Sequence, residues 1–243
     1  MPPHPIQKIQ EYKLKIIKII DETPTVKTFR VEIPKGTEIS FFPGQFFMVR
    51  LTDNPALQRA YSIATSPMQK NYMDITLELV GEFTKKLFQA KVNDYLIFKG
   101  PYGRFYFTEE IKNDLFLISG GCGISAMMSI IRYCTEKNLQ NKLSLIYSVK
   151  TPADIVYYEE IKKIKGQNPN FSYTITLTRP LPGHNWAGKT GRVGVAFLKE
   201  AIINVEDSLY FLCGPVDFVK SIIGMLEIIG VKKEQIRTDV WGR

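Results

Sequence analysis

Apolar and polar positions follow two different periods along this chain, and the change falls near residue 107. Before it, apolar residues recur with the period of two that is typical of β-strands. The predicted strands cover residues 13–20, 26–33, 45–51 and 73–80. A short predicted helix, residues 84–91, interrupts them, with Leu87 and Phe88 facing inward. Short strands separated by turn residues predict an antiparallel barrel or sandwich.

Beyond residues 101–105, apolar strand-like runs alternate with amphipathic helical segments. The predicted strands are residues 115–118, 143–148, 171–177, 209–212 and 235–240, and the predicted helices are residues 124–137, 157–165, 195–203 and 216–229. Such alternation predicts βαβ units that build a parallel sheet with helices on both faces. We therefore expect a disordered lead-in over residues 1–10, a β-domain over residues 11–108 and an α/β domain over residues 109–243.

Composition narrows the class of protein. The hydrophobic fraction of 44% and the charged fraction of 23% are ordinary for a globular chain and exclude a disordered or fibrous one. We expect no membrane span and no secretory signal. Cys122, Cys134 and Cys213 are too few and too scattered for a disulfide framework or an iron–sulfur cluster, which favours the cytoplasm. His4 and His184 match no metal-binding spacing, so no metal site is expected.

The net charge of +8 leaves several partners open. A basic surface suits an acidic protein, a polyanionic cofactor or nucleic acid, or it serves solubility alone. Lys13, Lys15 and Lys18 flank apolar residues in a strand pattern, as on the solvent face of a half-buried strand. A nucleic-acid interface would need basic clusters with exposed aromatic residues on one element, and we find no such element.

The segment Arg-Ala-Tyr-Ser at residues 59–62 is the first candidate for chemistry. Arg59 suits paired charge-assisted bonds to a diphosphate. Tyr61 lies two residues on, on the same strand face, so its ring can cover a flat ligand held by the arginine. The Ser62 hydroxyl suits a polar ring edge. The alternative interpretations are a surface ion pair for Arg59 and a core aromatic for Tyr61.

A second signal follows at Gly81 and Thr84. Glycine lets the backbone approach a ligand closely. Thr84 suits the N-cap of the predicted helix, whose free amides and dipole would favour a phosphate. An ordinary helix cap without a ligand is the alternative.

The third signal is a glycine-rich turn, Gly-Gly-Cys-Gly at residues 120–123, between a predicted strand and a predicted helix. Gly121, Gly123 and Ala126 satisfy the G-x-G-x-x-A pattern in the context that a dinucleotide-binding motif requires. The pattern alone is weak, because a tight strand-to-helix turn without a ligand also uses glycine.

Basic residues bear on the choice of nucleotide. The acidic residue that holds an unphosphorylated ribose is expected past the second strand, where the chain carries Lys150 instead. Arg179 follows the third predicted strand and Arg192 lies beyond it. Three cations favour NADPH over NADH because they suit a 2′-phosphate. Ordinary solvated basic residues are the alternative.

In this order the motifs resemble the ferredoxin–NADP reductase superfamily of flavoenzymes. The matching segments are residues 59–62, Gly81 with Thr84, residues 100–105 and 120–125, residues 178–180, Trp186 with Gly188, residues 191–193 and residues 213–215. The resemblance runs from about residue 11 to the C-terminus. It implies that the β-domain is a barrel that binds FAD, with FMN less favoured, and that the α/β domain binds NADPH. It also implies hydride transfer from the nicotinamide to flavin N5.

The resemblance assigns roles residue by residue. Arg59 would hold flavin phosphate, Tyr61 would stack on the isoalloxazine and Ser62 would bond near N5, while Cys213 would face the reacting nicotinamide carbon. The implied catalytic residues are Ser62, Cys213 and Asp239. The implied cofactor-binding residues are Arg59, Ala60, Tyr61, Ser62, Leu79, Val80, Gly81, Phe83, Thr84 and Trp241 for the flavin, and Gly121, Cys122, Gly123, Ile124, Lys150, Arg179, Arg192, Cys213, Gly214 and Pro215 for the nucleotide.

The chain departs from the family pattern in a few places. Cys122 replaces a common threonine, Ala126 a common proline and Asp239 a common glutamate. The lost hydroxyl at Cys122 is expected to alter the hydride-transfer rate. Trp241 either stacks on the flavin face that the nicotinamide must reach or packs as a terminal aromatic.

The function implied is a flavin-dependent NAD(P)H oxidoreductase. We expect a separate electron acceptor, because the chain shows no ferredoxin-like C-terminal extension and too few cysteines for a [2Fe–2S] cluster. The positive net charge favours an acidic ferredoxin or flavodoxin. The alternatives are a reductase component of a multicomponent oxygenase, an electron-transfer subunit of a larger complex, and a flavin-binding regulatory subunit without turnover.

Overall fold

The computed structural model describes residues 7–202 and 204–241, with only the backbone of Trp241. Most of the predicted lead-in, residues 1–6, lies outside the described residues. The chain divides into two compact units. The first contains residues 1–108 and 128–133, and the second contains residues 109–127 and 134–243.

The first unit is built on one six-stranded antiparallel sheet. Its strands are β1 (Gln10–Thr23), β2 (Val26–Glu32), β3 (Phe46–Leu51), β4 (Gln58–Ser62), β5 (Tyr72–Glu78) and β6 (Tyr95–Tyr102), in the order β4-β3-β6-β1-β2-β5. A single antiparallel bridge between Ile63 and Ile75 joins the two ends of this sheet. The sheet therefore curls into a barrel, which confirms the predicted antiparallel β-barrel and excludes the sandwich.

The barrel core follows from the alternation along each strand. In β3, Phe47, Val49 and Leu51 are buried, while the residues between them are only partly buried. Phe29 and Phe98 join them in the same core, both fully buried. Burial of each such side chain contributes about 1.5–3 kcal/mol relative to exposure, so these positions hold the curled sheet together. The one helix of this unit, α1 (Glu82–Leu87), begins two residues before its predicted start and is shorter than predicted.

The second unit alternates strands and helices. In chain order they are β7 (Asp114–Gly120), α2 (Ile124–Glu136), β8 (Leu143–Val149), α3 (Tyr158–Gln167), β9 (Phe171–Leu177), β10 (Lys189–Thr190), α4 (Val195–Ala201), β11 (Ser208–Pro215), α5 (Val216–Ile228) and β12 (Ile236–Trp241). All neighbouring strands are parallel, in the order β10-β9-β8-β7-β11-β12. The predicted parallel α/β domain is confirmed.

The strand order of the second sheet reverses beside its first strand. From β7 the chain moves outward through β8, β9 and β10, and then returns to place β11 and β12 on the other side of β7. Cys213 of β11 pairs with Ser119 of β7 at this reversal. In open parallel sheets, ligands bind in the crevice outside the carboxyl ends of the strands at such a point. The fold therefore directs attention to residues 119–123 and 213–215.

Some features have no counterpart among residues 7–202 and 204–241. In these ranges no helix combines the length and the apolar character needed to span a bilayer. The same ranges hold no group of three or more histidine, cysteine, aspartate or glutamate side chains placed to bind a metal ion. All three cysteines are free thiols.

Candidate functional site

Strand β4 carries the segment 59–62 at one end of the first sheet. Arg59 pairs with Val49 and Tyr61 with Phe47 across the β3–β4 ladder. Because Val49 and Phe47 point to the core, Arg59 and Tyr61 share the core-facing side of the strand at its open end. Ser62 lies on the opposite side, where the chain is half-buried.

Arg59 and Tyr61 differ in their surroundings. The Tyr61 ring is half-buried against the Phe83 ring, with centroids 5.7 Å apart and planes tilted by 31°. Arg59 is exposed, and its Nη1 donates to the carbonyl of Gln58 at 2.8 Å. Within the described part of the chain, Arg59 forms no ion pair, so its charge is available to an anionic ligand. Phe83 is buried beneath Tyr61 and supports that ring from the core side.

An open apolar edge lies where β5 leads into α1. Leu79 is 40% exposed and Val80 is 71% exposed, which is unusual for neighbouring large apolar residues. At Gly81 the φ angle of −158° is one that any residue adopts, and an added Cβ would meet nothing within 4 Å. The fold therefore does not require glycine at this position. Open space beside exposed apolar side chains fits a flat, largely apolar cofactor.

Thr84 has a different role from the predicted one. The N-cap of α1 is Gly81, and Thr84 is the third helical residue. Its buried hydroxyl accepts the amides of Val80 and Gly81, each at 3.0 Å, and donates to the Gly81 carbonyl at 3.0 Å. The prediction of Thr84 as N-cap is wrong, because the hydroxyl reaches back to satisfy the amides that precede the helix. Thr84 therefore fixes the conformation of the segment 79–81.

The glycine-rich turn occupies the reversal point of the second sheet. β7 ends at Gly120, residues 121–123 form one 3₁₀ turn, and α2 begins at Ile124. Gly121 has φ +54°, a left-handed conformation that favours glycine. At Gly123 an added Cβ would lie 2.3 Å from the carbonyl oxygen of Cys213. The turn is therefore packed directly on the end of β11.

An aromatic ring that sequence reasoning missed completes this packing. The Phe218 ring would lie 3.0 Å from a Cβ added at Gly120 and 2.9 Å from one added at Gly214. Glycine at the ends of two neighbouring strands lets the ring of Phe218, on α5, cover both. The available sequence signal is the glycine pair followed by an aromatic residue in the next helix.

Cys213 and Asp239, two of the three predicted catalytic residues, are neighbours. They pair across β11 and β12, and the Cys213 thiol donates a long hydrogen bond to Asp239 Oδ2, with Sγ and Oδ2 3.9 Å apart. Burial, with the Asp239 carboxylate as a smaller cause, raises the pKa of the Cys213 thiol well above its ordinary value near 9. The thiol is therefore neutral at physiological pH and is not a nucleophile. Ser62, the third of these residues, belongs to the first unit.

Three cations meet at one edge of the parallel sheet. Lys150 follows β8, Arg179 follows β9 and Arg192 follows β10. The Arg179 amide donates to the Lys150 carbonyl at 2.8 Å, and the Gly191 amide donates to the Leu177 carbonyl at 2.8 Å. All three basic side chains are exposed, and none forms an ion pair within the described ranges. A phosphate ester fits this set, because multiple cations can share its charge.

The other predicted cofactor-binding residues vary in exposure. Cys122 and Pro215 are half-buried. Ile124 and Gly214 are buried, so they can offer a ligand only backbone groups. Ala60 is exposed on β4. The predicted stacking role of Trp241 concerns a side chain outside the described residues.

Comparison with known proteins agrees with this division. Residues 13–107 match the model of the oxidoreductase FAD-binding domain, and residues 117–223 match that of the oxidoreductase NAD-binding domain. One of the subunits that make up the Na(+)-translocating NADH-quinone reductase of Haemophilus ducreyi is 24% identical, over 99% of this chain and 69% of the relative. The glycine betaine monooxygenase reductase subunit of Chromohalobacter salexigens is 28% identical, over 95% of this chain and 64% of the relative.

Solved structures share the fold. The ferredoxin reductase in carbazole 1,9a-dioxygenase has a TM-score of 0.85 at 24% identity, over 98% of this chain and 71% of that one. A ferredoxin NADP+ reductase from Neisseria gonorrhoeae with bound FAD and NADP has a TM-score of 0.79 at 19% identity, over 95% of this chain and 98% of that one. At these identities the likeness establishes the two-domain architecture alone.

Proposed function

The chain belongs to the ferredoxin–NADP reductase superfamily of oxidoreductases, and on that basis we propose that it is an NADPH-dependent FAD reductase with a separate electron acceptor. We assign the FAD-binding domain to residues 11–108 and the NADPH-binding domain to residues 109–243. One observation carries the proposal: the chain combines an open apolar edge beside an unpaired arginine with a glycine turn at the reversal of a parallel sheet.

The proposed flavin site uses side chains with distinct tasks. Arg59 binds the diphosphate, Tyr61 covers the ring system and the Ser62 hydroxyl orients its polar edge. Leu79 and Val80 provide apolar contact that excludes water. A bound flavin accepts hydride at N5 from a reduced nicotinamide and passes electrons on singly or in pairs. The protein contributes alignment, because correctly oriented reactants lose much of the entropic barrier.

The proposed nucleotide site lies at the reversal of the second sheet. The turn at Gly121 and Gly123 brings backbone amides at the start of α2 to the diphosphate. Cys213 presents a neutral thiol to the nicotinamide, and Asp239 holds the thiol proton on the side away from it. This assignment is supported by the raised pKa of Cys213, because a thiolate there would compete for the electrophilic ring.

The preference for NADPH is proposed from charge. Lys150, Arg179 and Arg192 would surround the 2′-phosphate, and the position where NADH-binding folds place a carboxylate carries Lys150. Relatives named for either nucleotide occur among the similar proteins, so the preference depends on these three residues.

The first experiment concerns the cofactor and the donor. We expect the purified protein to be yellow, or to become so with added FAD and less readily with FMN. Anaerobic NADPH should bleach the visible flavin band, and NADH should bleach it more slowly. Protein that takes up neither flavin contradicts the proposal. Flavin that stays oxidised with both nucleotides favours the regulatory subunit without turnover.

The second experiment concerns the acceptor, which we propose to be an acidic ferredoxin or flavodoxin in the cytoplasm. Steady-state rates should be compared with ferredoxin, flavodoxin, cytochrome c and ferricyanide. The net charge of +8 predicts that reduction of an acidic protein slows as salt increases, because screening weakens steering. Reduction of ferricyanide alone would contradict a protein acceptor of this class.

The similar proteins favour a second candidate, the reductase component of an oxygenase or an electron-transfer subunit of a complex. One relative is a monooxygenase reductase subunit and another belongs to an NADH-quinone reductase of several subunits. The chain spans 64–69% of their length. Electron transfer to a purified oxygenase component, faster than to ferredoxin or flavodoxin, would support this candidate over the first.

A further inference from the structure

The chain turns inward directly after the segment 59–62. Ile63, Ala64, Thr65 and Ser66 are all between 0% and 4% exposed. Buried backbone amides and carbonyls need hydrogen-bond partners, so the position of this stretch depends on the groups that supply them. Because Ile63 is bonded to Ser62, those groups also limit where the Ser62 hydroxyl lies.

Two partners come from other strands of the barrel. The Ile63 amide donates to the Gln45 carbonyl at 3.0 Å, and the Ala64 amide donates to the Asp74 carbonyl at 2.8 Å. These bonds satisfy the amides of the buried stretch and leave its carbonyls to be satisfied by other groups.

The carbonyls of the buried stretch are held by two side chains from residues 128–133, which belong to the same compact unit. Ser129 Oγ donates to the Thr65 carbonyl at 2.8 Å. Arg132 Nη1 donates to the Ala64 carbonyl. Ser129 is fully buried, so no water can replace its hydroxyl without rearrangement.

We propose that Ser129 and Arg132 are positioning residues of the flavin site. By holding two successive carbonyls, they fix the end of β4 and therefore the orientation of Ser62. Neither side chain needs to touch the flavin. The inference rests on the proposed function, because it concerns the alignment of the ring that Ser62 would orient. Small displacements of aligned groups reduce reaction rates strongly.

The test compares Ser129→Ala with a matched control, Ser208→Ala. Ser208 is also buried, and its hydroxyl also donates to a backbone carbonyl, that of Asn204 at 2.6 Å, but it lies in the second unit. Arg132→Met and Arg132→Lys form a second pair, in which lysine keeps a charged donor. The measurements are stability, hydrogen exchange of amides 60–66 without flavin, the FAD Kd, and KM and the flavin reduction rate with NADPH.

We expect both serine variants to lose similar stability. Only Ser129→Ala should speed exchange at amides 60–66, raise the FAD Kd about five- to tenfold and slow flavin reduction with KM for NADPH unchanged. Arg132→Met should act in the same direction, with partial rescue by Arg132→Lys.

The outcomes separate the two ideas. If the protein binds FAD and Ser129→Ala matches Ser208→Ala in exchange and flavin affinity, the positioning inference is overturned alone. If the wild-type protein binds no FAD, the proposed function is overturned together with the inferred role in flavin alignment.

Discussion

Gly123 lies directly against the backbone of Cys213: an added Cβ would be 2.3 Å from the Cys213 carbonyl oxygen and 2.6 Å from the carbonyl carbon. β11 cannot move away easily, because it is paired with β7 on one side and β12 on the other. The third glycine of the turn is therefore required by packing, whether or not a nucleotide binds.

The contact predicts that Gly123→Ala destabilises the protein. Forced overpacking against backbone typically costs about 1–3 kcal/mol, and urea denaturation would measure it. The control is Gly166→Ala, on an exposed turn of α3 where a Cβ meets nothing within 4 Å. There alanine should stabilise by about 0.5–1 kcal/mol. Equal stability of the two variants would contradict the packing argument.

Gly81→Ala tests the open edge of the flavin site. Gly194 is the matched control, because both glycines are N-caps with extended φ and open space at the Cβ position. Both changes should reduce stability similarly, by about 1 kcal/mol, since alanine is a poor N-cap. Only Gly81→Ala should weaken FAD binding, measured by flavin fluorescence. Undiminished FAD affinity would mean that no ligand approaches this backbone.

Lys150→Glu tests the choice of nucleotide. We expect KM for NADPH to rise about tenfold or more while NADH is used as well or better, because a carboxylate repels a 2′-phosphate and accepts a ribose hydroxyl. Lys142→Glu is the control, with the same charge change at the opposite end of β8. An NADPH preference that is the same in both variants would exclude Lys150 from the phosphate site.

Alkaline pH should destabilise the protein through a buried thiol. Burial, with a smaller contribution from Glu109, raises the pKa of Cys134 from near 9 to about 12. The folded state then keeps a proton that the unfolded state loses above pH 9, so this stabilisation is complete below pH 9 and is lost as pH rises towards 12. Burial raises the pKa of Tyr210 from near 10 to about 12, which adds to the same trend.

Urea denaturation at several pH values would measure this trend. Cys134→Ala should lower the slope of stability against pH between pH 9 and 10, before tyrosines of the unfolded chain titrate. An unchanged slope would contradict the assignment to Cys134.

Much of the fold is predictable from periodicity. The strand at Phe171–Leu177 is found at its predicted bounds, because an uninterrupted apolar run between turn residues admits one interpretation. β6 and β10 have no counterpart in the predicted strands. The sequence of β6 ends in Gly100 and Pro101, which indicate a turn when considered alone. β10 has two residues and exists only because Lys189 and Thr190 pair with β9.

The candidate site is less predictable, because its geometry depends on long-range contacts. The preference of threonine for N-caps misplaced Thr84, whose hydroxyl instead reaches back to Gly81. The ring of Phe218 over Gly120 joins positions about a hundred residues apart, and no local pattern signals it. In contrast, Cys213 and Asp239 could be brought together from sequence, since each occupies a carboxyl-end position of a predicted parallel strand.

A barrel joined by one bridge retains two edge strands, and this affects how the protein behaves in a crowded solution. Within the described residues, β4 pairs laterally only with β3, and β5 only with β2, apart from the contact of Ile63 with Ile75. Such edges can recruit extended segments of other chains and start aggregation. β4 has five residues and displays the exposed charge of Arg59, two features that discourage such recruitment. The arginine proposed to hold a cofactor therefore also protects the molecule from its own copies.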